Sequence, residues 1–169
     1  MPLNITIRSI SFLTLALPLL MHAEDGTWQA DTNGGWSQEI HWYKQTIAEG
    51  PSSIATFDRS LYTIGRSIQV DSNRTLGQLQ AIHVGAQNSS GNILITQSDQ
   101  SILFLDNGSS HAKITNQGSG ALRIDPSLSL RTNLTVSNQA DNFLALCGPI
   151  STQINQPQSI EFSHSTERI

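Results

Sequence analysis

The stretch SILFLDNGSSHAKITNQGSGALRIDPSLSLRTNLTV, residues 101–136, decides the fold. It contains apolar runs of only three to five residues, and Asn, Gly, Ser or Asp interrupts each of them. A helix needs a periodic apolar pattern of about 10–12 residues or more, which none of these runs provides. The stretch therefore predicts a series of short β-strands separated by turns.

Such runs continue over residues 51–163, and their spacing distinguishes a β-sandwich from a β-helix. Asn107 and Gly108 could close a type I′ hairpin, but the strands of a β-sandwich recur regularly, about 8–12 residues apart. Between residues 92 and 143 the runs begin 6 to 11 residues apart, and several are only three residues long. Three short strands with a corner after each make a coil of roughly 20–30 residues. We predict a right-handed parallel β-helix of about four or five turns, with ladders of Asn and Ser side chains at its corners.

The first 23 residues have the features of a secretory signal peptide. Arg8 precedes an apolar, uncharged run at residues 10–21, and Ala23 lies just before two acidic residues. The run is shorter than the roughly 20 residues that span a bilayer. We predict cleavage after Ala23 and a secreted or cell-surface location. The alternative is a buried apolar strand or helix at the N-terminus.

Composition narrows the classes of partner. Charged residues make up 13% of the 169-residue chain, and the formal net charge is −4. The sequence contains no basic stripe that would bind nucleic acid and no polybasic segment that would bind anionic lipid, so neither partner is expected. We also expect no membrane-spanning segment after signal cleavage. The single cysteine, Cys147, cannot form an intramolecular disulfide, and its sequence context indicates a small strand residue rather than a nucleophile.

Residues 24–50 form a distinct segment that contains all three tryptophans. Their flat faces could bind sugar rings, with polar edges that hydrogen-bond to hydroxyls. Alternatively, the segment caps the first coil, which would otherwise expose strand edges and apolar core. We favour the cap, because the segment lies directly before the first repeat strand. The candidate ligand-binding residues are Trp28, Trp36, Trp42 and Tyr43. Their partners would be surface glycans or other solenoid chains.

The sequence offers little for catalysis. Parallel β-helices include polysaccharide lyases and glycosidases, which need acidic residues for acid–base chemistry or for calcium. The acids nearest to strand ends stand singly, and turn roles explain them better: Asp58, Asp71, Asp106 and Asp125. The five histidines show no zinc-ligand spacing. We expect no enzyme activity, no metal and no cofactor.

Several segments resemble bacterial proteins with autotransporter-associated β-strand repeats, which are large secreted or surface β-solenoids. The segments are GTWQADTNGGWSQEIHW, IQVDSNRTLGQLQ, ILFLDNGSSHAKITNQGSG, LRIDPSLSLRTNLTV and LALCGPIS. They cover most of residues 26–151. The resemblance implies a stalk or adhesin-like passenger with no catalytic residues, whereas members of this type are usually much longer.

The C-terminal residues suggest an open solenoid end. SIEF at residues 159–162 has the pattern of a buried strand, and only SHSTERI follows it. A terminal coil needs a cover over its strand edge and core. We therefore predict a frayed tail at residues 164–169, and that the chain is a truncated N-terminal fragment, or the product of a degenerate gene, of a longer solenoid. The leading function is a structural or adhesive module, and the alternative is a carbohydrate-binding or polysaccharide-cleaving β-helix.

Overall fold

The computed structural model describes residues 23–83, 91–140, 142–153 and 156–164. Nearly all of the predicted signal peptide and residues 165–169 of the tail lie outside these ranges. The described residues form fifteen short strands and three single turns of 3-10 helix, at Glu39–His41, Tyr43–Gln45 and Arg59–Leu61. No helix among them has the length and apolar character needed to cross a membrane.

The strands form three parallel sheets. The first contains β1 (Gly26–Trp28), β3 (Ile54–Asp58), β6 (Gln78–Ile82), β9 (Ala112–Gly118), β12 (Leu134–Ala140) and β15 (Ile160–His164). The second contains β2 (Gly34–Gly35), β4 (Arg66–Val70), β7 (Ile93–Gln97), β10 (Leu122–Ile124) and β13 (Leu144–Leu146). The third contains β5 (Arg74–Leu76), β8 (Ile102–Leu105), β11 (Ser127–Leu130) and β14 (Ile150–Thr152).

From β3 onward, consecutive strands visit the three sheets in turn, so the chain winds as a coil. Each strand pairs with the equivalent strand of the coil before or after it, as β6 does with β3 and β9. Thr56 and its register partner Gln80 are 24 residues apart, and Asn116 and Asn138 are 22 apart. The structure is therefore a parallel β-solenoid of about five turns, as predicted.

Alternating side chains point inward and stack between coils, because successive residues of a strand face opposite sides of the sheet. In the first sheet, β3, β6, β9 and β12 contribute the stacked and buried residues Ala55, Leu79, Ile114 and Val136. The second sheet contributes Ile68, Ile95 and Ile124, and the third Leu76, Leu105 and Leu130. Burial of each Leu, Ile or Val among them contributes about 1.5–3 kcal/mol to folding.

The hairpin alternative at Asn107 and Gly108 is wrong. β8 pairs with β5 and β11 in the third sheet, whereas β9 begins the next coil in the first sheet. The Asn107 amide donates to the His111 carbonyl at 2.7 Å, and Gly108 has a φ of 61°. These residues form a corner between two sheets.

A side-chain oxygen just before a strand often joins two coils. It accepts the backbone N–H of the register-equivalent residue in the next coil at 2.8–3.0 Å. The five donor and acceptor pairs are Ile54 to Asp25, Ser67 to Asn33, Ile102 to Asn73, Ala121 to Asn92 and Ser159 to Asn133. The contacts at these corners are therefore side chain to backbone bonds of Asn and Asp rather than the predicted ladders of Asn and Ser side chains, and they satisfy N–H groups where the sheets end.

Residues 24–50 cover the first coil as a cap. The outer edge of β1 is closed by antiparallel bridges between Trp28 and Trp42 and between Glu24 and Glu49. The three indole rings fill the interior, with centroids of Trp36 and Trp42 5.1 Å apart. The cap therefore removes both the free strand edge and the exposed core that the first coil would otherwise present.

The last coil is more open. Phe143 and Ile150 are exposed, and Phe162 in β15 is 74% exposed. The predicted strand at residues 159–162 is present, but the predicted burial of Phe162 is wrong, since no coil packs over it among the described residues. β15 also extends to His164, which the sequence analysis assigned to the tail.

Candidate functional site

The three tryptophans are not ligand-facing. Trp28, Trp36 and Trp42 are 0% exposed, so no ring face is open to a sugar. Each indole N–H is already used: Trp28 donates to Ala30 O at 3.0 Å, Trp36 to Ala48 O at 3.2 Å and Trp42 to Trp36 O at 2.8 Å. Because they are buried, these three residues are not available to bind a sugar. They form the interior of the cap.

Tyr43, the fourth candidate, is 55% exposed. It begins a 3-10 turn in which Lys44 and Gln45 have φ angles of 52° and 59°. Side chains other than glycine rarely adopt this left-handed region, at a cost of order 1 kcal/mol or more each. The buried Trp42 anchors the turn on one side, and the Lys44 ammonium lies 5.3 Å from the centre of the Tyr43 ring.

Beside this turn lies a groove of about 450 Å³. Tyr43, Lys44 and Thr46 form one wall, and the outward-facing side chains of β1, β3 and β6 form the floor. Asp25 also lines the groove, and its carboxylate accepts the Ile54 N–H at 2.8 Å. The groove thus combines one aromatic ring, one ammonium, one carboxylate, one aliphatic side chain and several neutral polar groups.

The floor of this groove belongs to a longer polar row on the outer face of the first sheet. The row follows the register from β1 to β15 without interruption: Thr27, Thr56, Gln80, Thr115, Ser137 and Ser163. Every member carries a hydroxyl or an amide. The Gln80 amide donates to the Thr56 hydroxyl at 2.9 Å. We call this set of six residues the polar row.

A second groove, of about 570 Å³, lies on the outer face of the second sheet. Its Asp71 carboxylate accepts the Ser37 N–H at 3.1 Å and the Ser37 hydroxyl at 2.7 Å, and Arg74 lies 3.6 Å away. The Gln38 side chain accepts the Gly35 N–H at 2.7 Å. These polar groups join the cap to β4 and β5, and no aromatic ring lines the groove. It is larger than the Tyr43 groove but less suited to a sugar.

Three of the four candidate acids bond within their own turns, and Asp71 bonds to Ser37 in the cap. Asp58 accepts from Ser60 N and Oγ, Asp71 from Ser37, Asp106 from Gly108 N, and Asp125 from the Arg123 guanidinium. Within the described part of the chain, His, Cys, Asp and Glu form no group of three or more that could hold a metal ion.

Cys147 is exposed and lies one residue after β13 rather than within it. Its N–H still donates to the Ile124 carbonyl at 2.8 Å, so it continues the pairing of the strand. The half-buried Leu144 and Leu146 face the other side, as the period of two predicts.

Arg59 is a buried functional group of the core that the sequence analysis missed. The guanidinium is 0% exposed and donates to Asn116 Oδ1, and to the carbonyls of Ala81, Gly91, Gln117 and Ala121. Burial lowers its pKa to about 10, because the interior disfavours the charged form. A signal was present: Ala55 and Phe57 face inward, and the period of two places Arg59 on the same side.

Asn116 continues this interior network along the solenoid. Its side-chain amide donates to Asn138 Oδ1 at 3.0 Å, one coil further on. Arg59 therefore reaches Asn116 two coils further on, and Asn116 links to Asn138 in the coil after that.

The fold and these sites define the class of the protein: a capped parallel β-solenoid with an aromatic-walled polar groove. No model of a known protein family, no curated protein and no solved structure matches the chain.

Proposed function

We propose that the protein is a structural or adhesive module of a secreted or cell-surface β-solenoid, of the autotransporter passenger type. The observation that carries this proposal is the unbroken register of the first sheet. It aligns six strands and presents one polar row on their outer face. A surface that repeats at every coil suits attachment over an extended length.

The mechanics of the stack support a stalk-like role. Each coil contacts its neighbours through three sheets, and the corner oxygens and the Arg59 network add bonds between coils. A quasi-one-dimensional stack of this kind projects a surface outward from its point of attachment. The cap closes one end and protects the first sheet from edge-to-edge pairing.

The alternative, a polysaccharide-cleaving β-helix, needs two carboxyl groups placed on either side of one glycosidic bond. The bonds of Asp58 and Asp106 to their own turns give these carboxylates a structural use. Asp125 is paired with Arg123 at 2.6 Å. These contacts favour attachment over cleavage as the proposed activity.

Bacterial expression of the full chain tests the export and the adhesion together. We expect the exported protein to begin at Glu24, within a residue or two, and beads coated with it to be retained on fixed bacterial cells. Secreted material that retains Met1, or coated beads retained no better than uncoated ones, would contradict the proposal.

Incubation with acidic polysaccharides tests the absence of cleavage. We expect no new reducing ends. Reducing ends that appear with the natural chain and disappear with Asp125→Asn would establish the alternative instead.

A further inference from the structure

We propose that the Tyr43 groove and the polar row bind a linear, uncharged polysaccharide laid along the solenoid axis. This inference rests on the proposed adhesive function and assigns it a site and a ligand class. Tyr43 would stack on one sugar ring, and the polar row would hydrogen-bond to the following sugars.

Tyr43 has the exposure and the support that a stacking platform needs. A sugar ring packs its C–H face on an aromatic ring, while the phenol oxygen remains free to bond to a hydroxyl. Lys44 and Gln45 hold the turn beside the sheet in left-handed backbone conformations, which carry an energetic cost. Backbone strain of this kind is characteristic of ligand-binding sites.

The polar row supplies hydrogen-bonding groups at a constant interval. Neighbouring parallel strands lie about 4.8 Å apart, so six strands extend the row over about 24 Å. Hydroxyl side chains both donate and accept, which matches the hydroxyls of a saccharide. Because the row repeats along the axis, it fits an extended chain of sugars better than a branched or compact one.

The charges of the site favour an uncharged ligand. None of the six side chains of the row is ionisable. Within the groove the Lys44 ammonium and the Asp25 carboxylate have opposite signs. A polyanion would gain from Lys44 and Lys113 but would meet Asp25 in the groove and Glu161 in β15, so the charges of this face offset each other.

The test titrates the purified full chain with soluble hexasaccharides by isothermal calorimetry. The probes are cellohexaose, mannohexaose and chitohexaose in its N-acetylated form, with hexagalacturonate as the acidic arm. We expect at least one uncharged hexasaccharide to bind, and its disaccharide to bind at least tenfold more weakly. Binding of hexagalacturonate alone, or of no hexasaccharide, overturns the inference.

Variants locate the site. Tyr43→Ala should weaken binding about 5- to 10-fold through loss of stacking, whereas Phe143→Ala, which removes a ring of equal exposure at the other end, should not. Thr56→Val in the polar row should weaken binding, and Thr96→Val on the second sheet should not. If the Tyr43 and Phe143 variants, or the Thr56 and Thr96 variants, bind the hexasaccharide with equal affinity, the proposed location of the site is wrong.

The bead assay separates the two proposals. If coated beads are retained on cells but no hexasaccharide binds, the proposed ligand class is wrong and the adhesive function is supported. If coated beads are not retained and no hexasaccharide binds, both the adhesive function and the ligand class are wrong. Circular dichroism of each variant verifies that its fold is intact, so that a change in affinity reports on the groove.

Discussion

At the scale of single residues, Arg59 shows how a charged side chain stabilises the interior of a solenoid. Its five hydrogen-bond acceptors lie in the two coils that follow its own. The lowered pKa shows that burial of the charge costs free energy, and the bonds to carbonyl oxygens offset that cost. The side chain therefore acts as a connection between coils rather than as a reactive group.

Removal of Arg59 should destabilise the fold. Arg59→Met leaves the carbonyls of Gly91, Gln117 and Ala121 without this donor, and we expect a loss of about 2–4 kcal/mol in the free energy of unfolding measured in urea. Arg123→Ala, at an arginine that is 53% exposed, should change it by less than about 0.5 kcal/mol. Equal stability of the two variants would refute the role of Arg59.

Tyr62 should make the protein sensitive to alkali. Its phenol is buried and donates to the Trp28 carbonyl at 2.8 Å, and burial, with a further contribution from Asp58, raises its pKa well above the usual value of 10. The unfolded chain ionises first, so the stability from Tyr62 is complete below pH 10 and is lost as the pH rises above it.

The comparison with Tyr62→Phe isolates this effect. Near neutral pH the variant should be less stable by about 1 kcal/mol, through loss of one hydrogen bond. We expect this difference to stay constant from pH 7 to 9 and to narrow above about pH 10 in urea titrations. A difference that grows above pH 10 would contradict the assignment.

At the scale of elements, the residue before a strand controls how successive coils join. Asn73 accepts the Ile102 N–H at 2.9 Å, and Asp25 fulfils the same role with a carboxylate. Short side chains with an oxygen at this position satisfy a backbone donor at five corners. The abundance of Asn in the sequence thus has a structural use at the corners.

Asn73→Ala should cost about 1 kcal/mol in thermal unfolding and should speed amide exchange of the Ile102 N–H. Asn73→Asp keeps an acceptor oxygen and should retain most of the protection. If exchange at Ile102 is unchanged in Asn73→Ala, the corner bond does not stabilise the coil.

The strands could be predicted from local sequence because their apolar residues alternate or cluster between turn residues. The pairing at Asn107 and Gly108 could not be decided by the local turn signal, because a hairpin and a solenoid corner use the same residues and differ only in distant partners. Likewise, the composition of the cap could not show that Trp42 points inward and Tyr43 outward. Which of the two adjacent residues faces inward is set by the antiparallel bridge between Trp42 and Trp28, a contact between distant residues.

At the scale of the whole molecule, the fold is one stack of coils in continuous register from the cap to β15. The stack explains why six side chains from distant parts of the sequence line up on one face. The same stacking gives Arg59 a partner two coils away and Asn116 a partner in the next coil. Every functional inference depends on this parallel register.

Disulfide trapping tests that register most directly. In a Cys147→Ser background, Thr115→Cys and Ser137→Cys place two thiols on adjacent parallel strands, at about the 4.8 Å spacing that a disulfide accepts. Under mild oxidation we predict an intramolecular bond between positions 115 and 137, detected by mass analysis of peptides. The hairpin arrangement instead pairs Phe104 with His111, and a bond between cysteines at those positions, with none between 115 and 137, would contradict the solenoid.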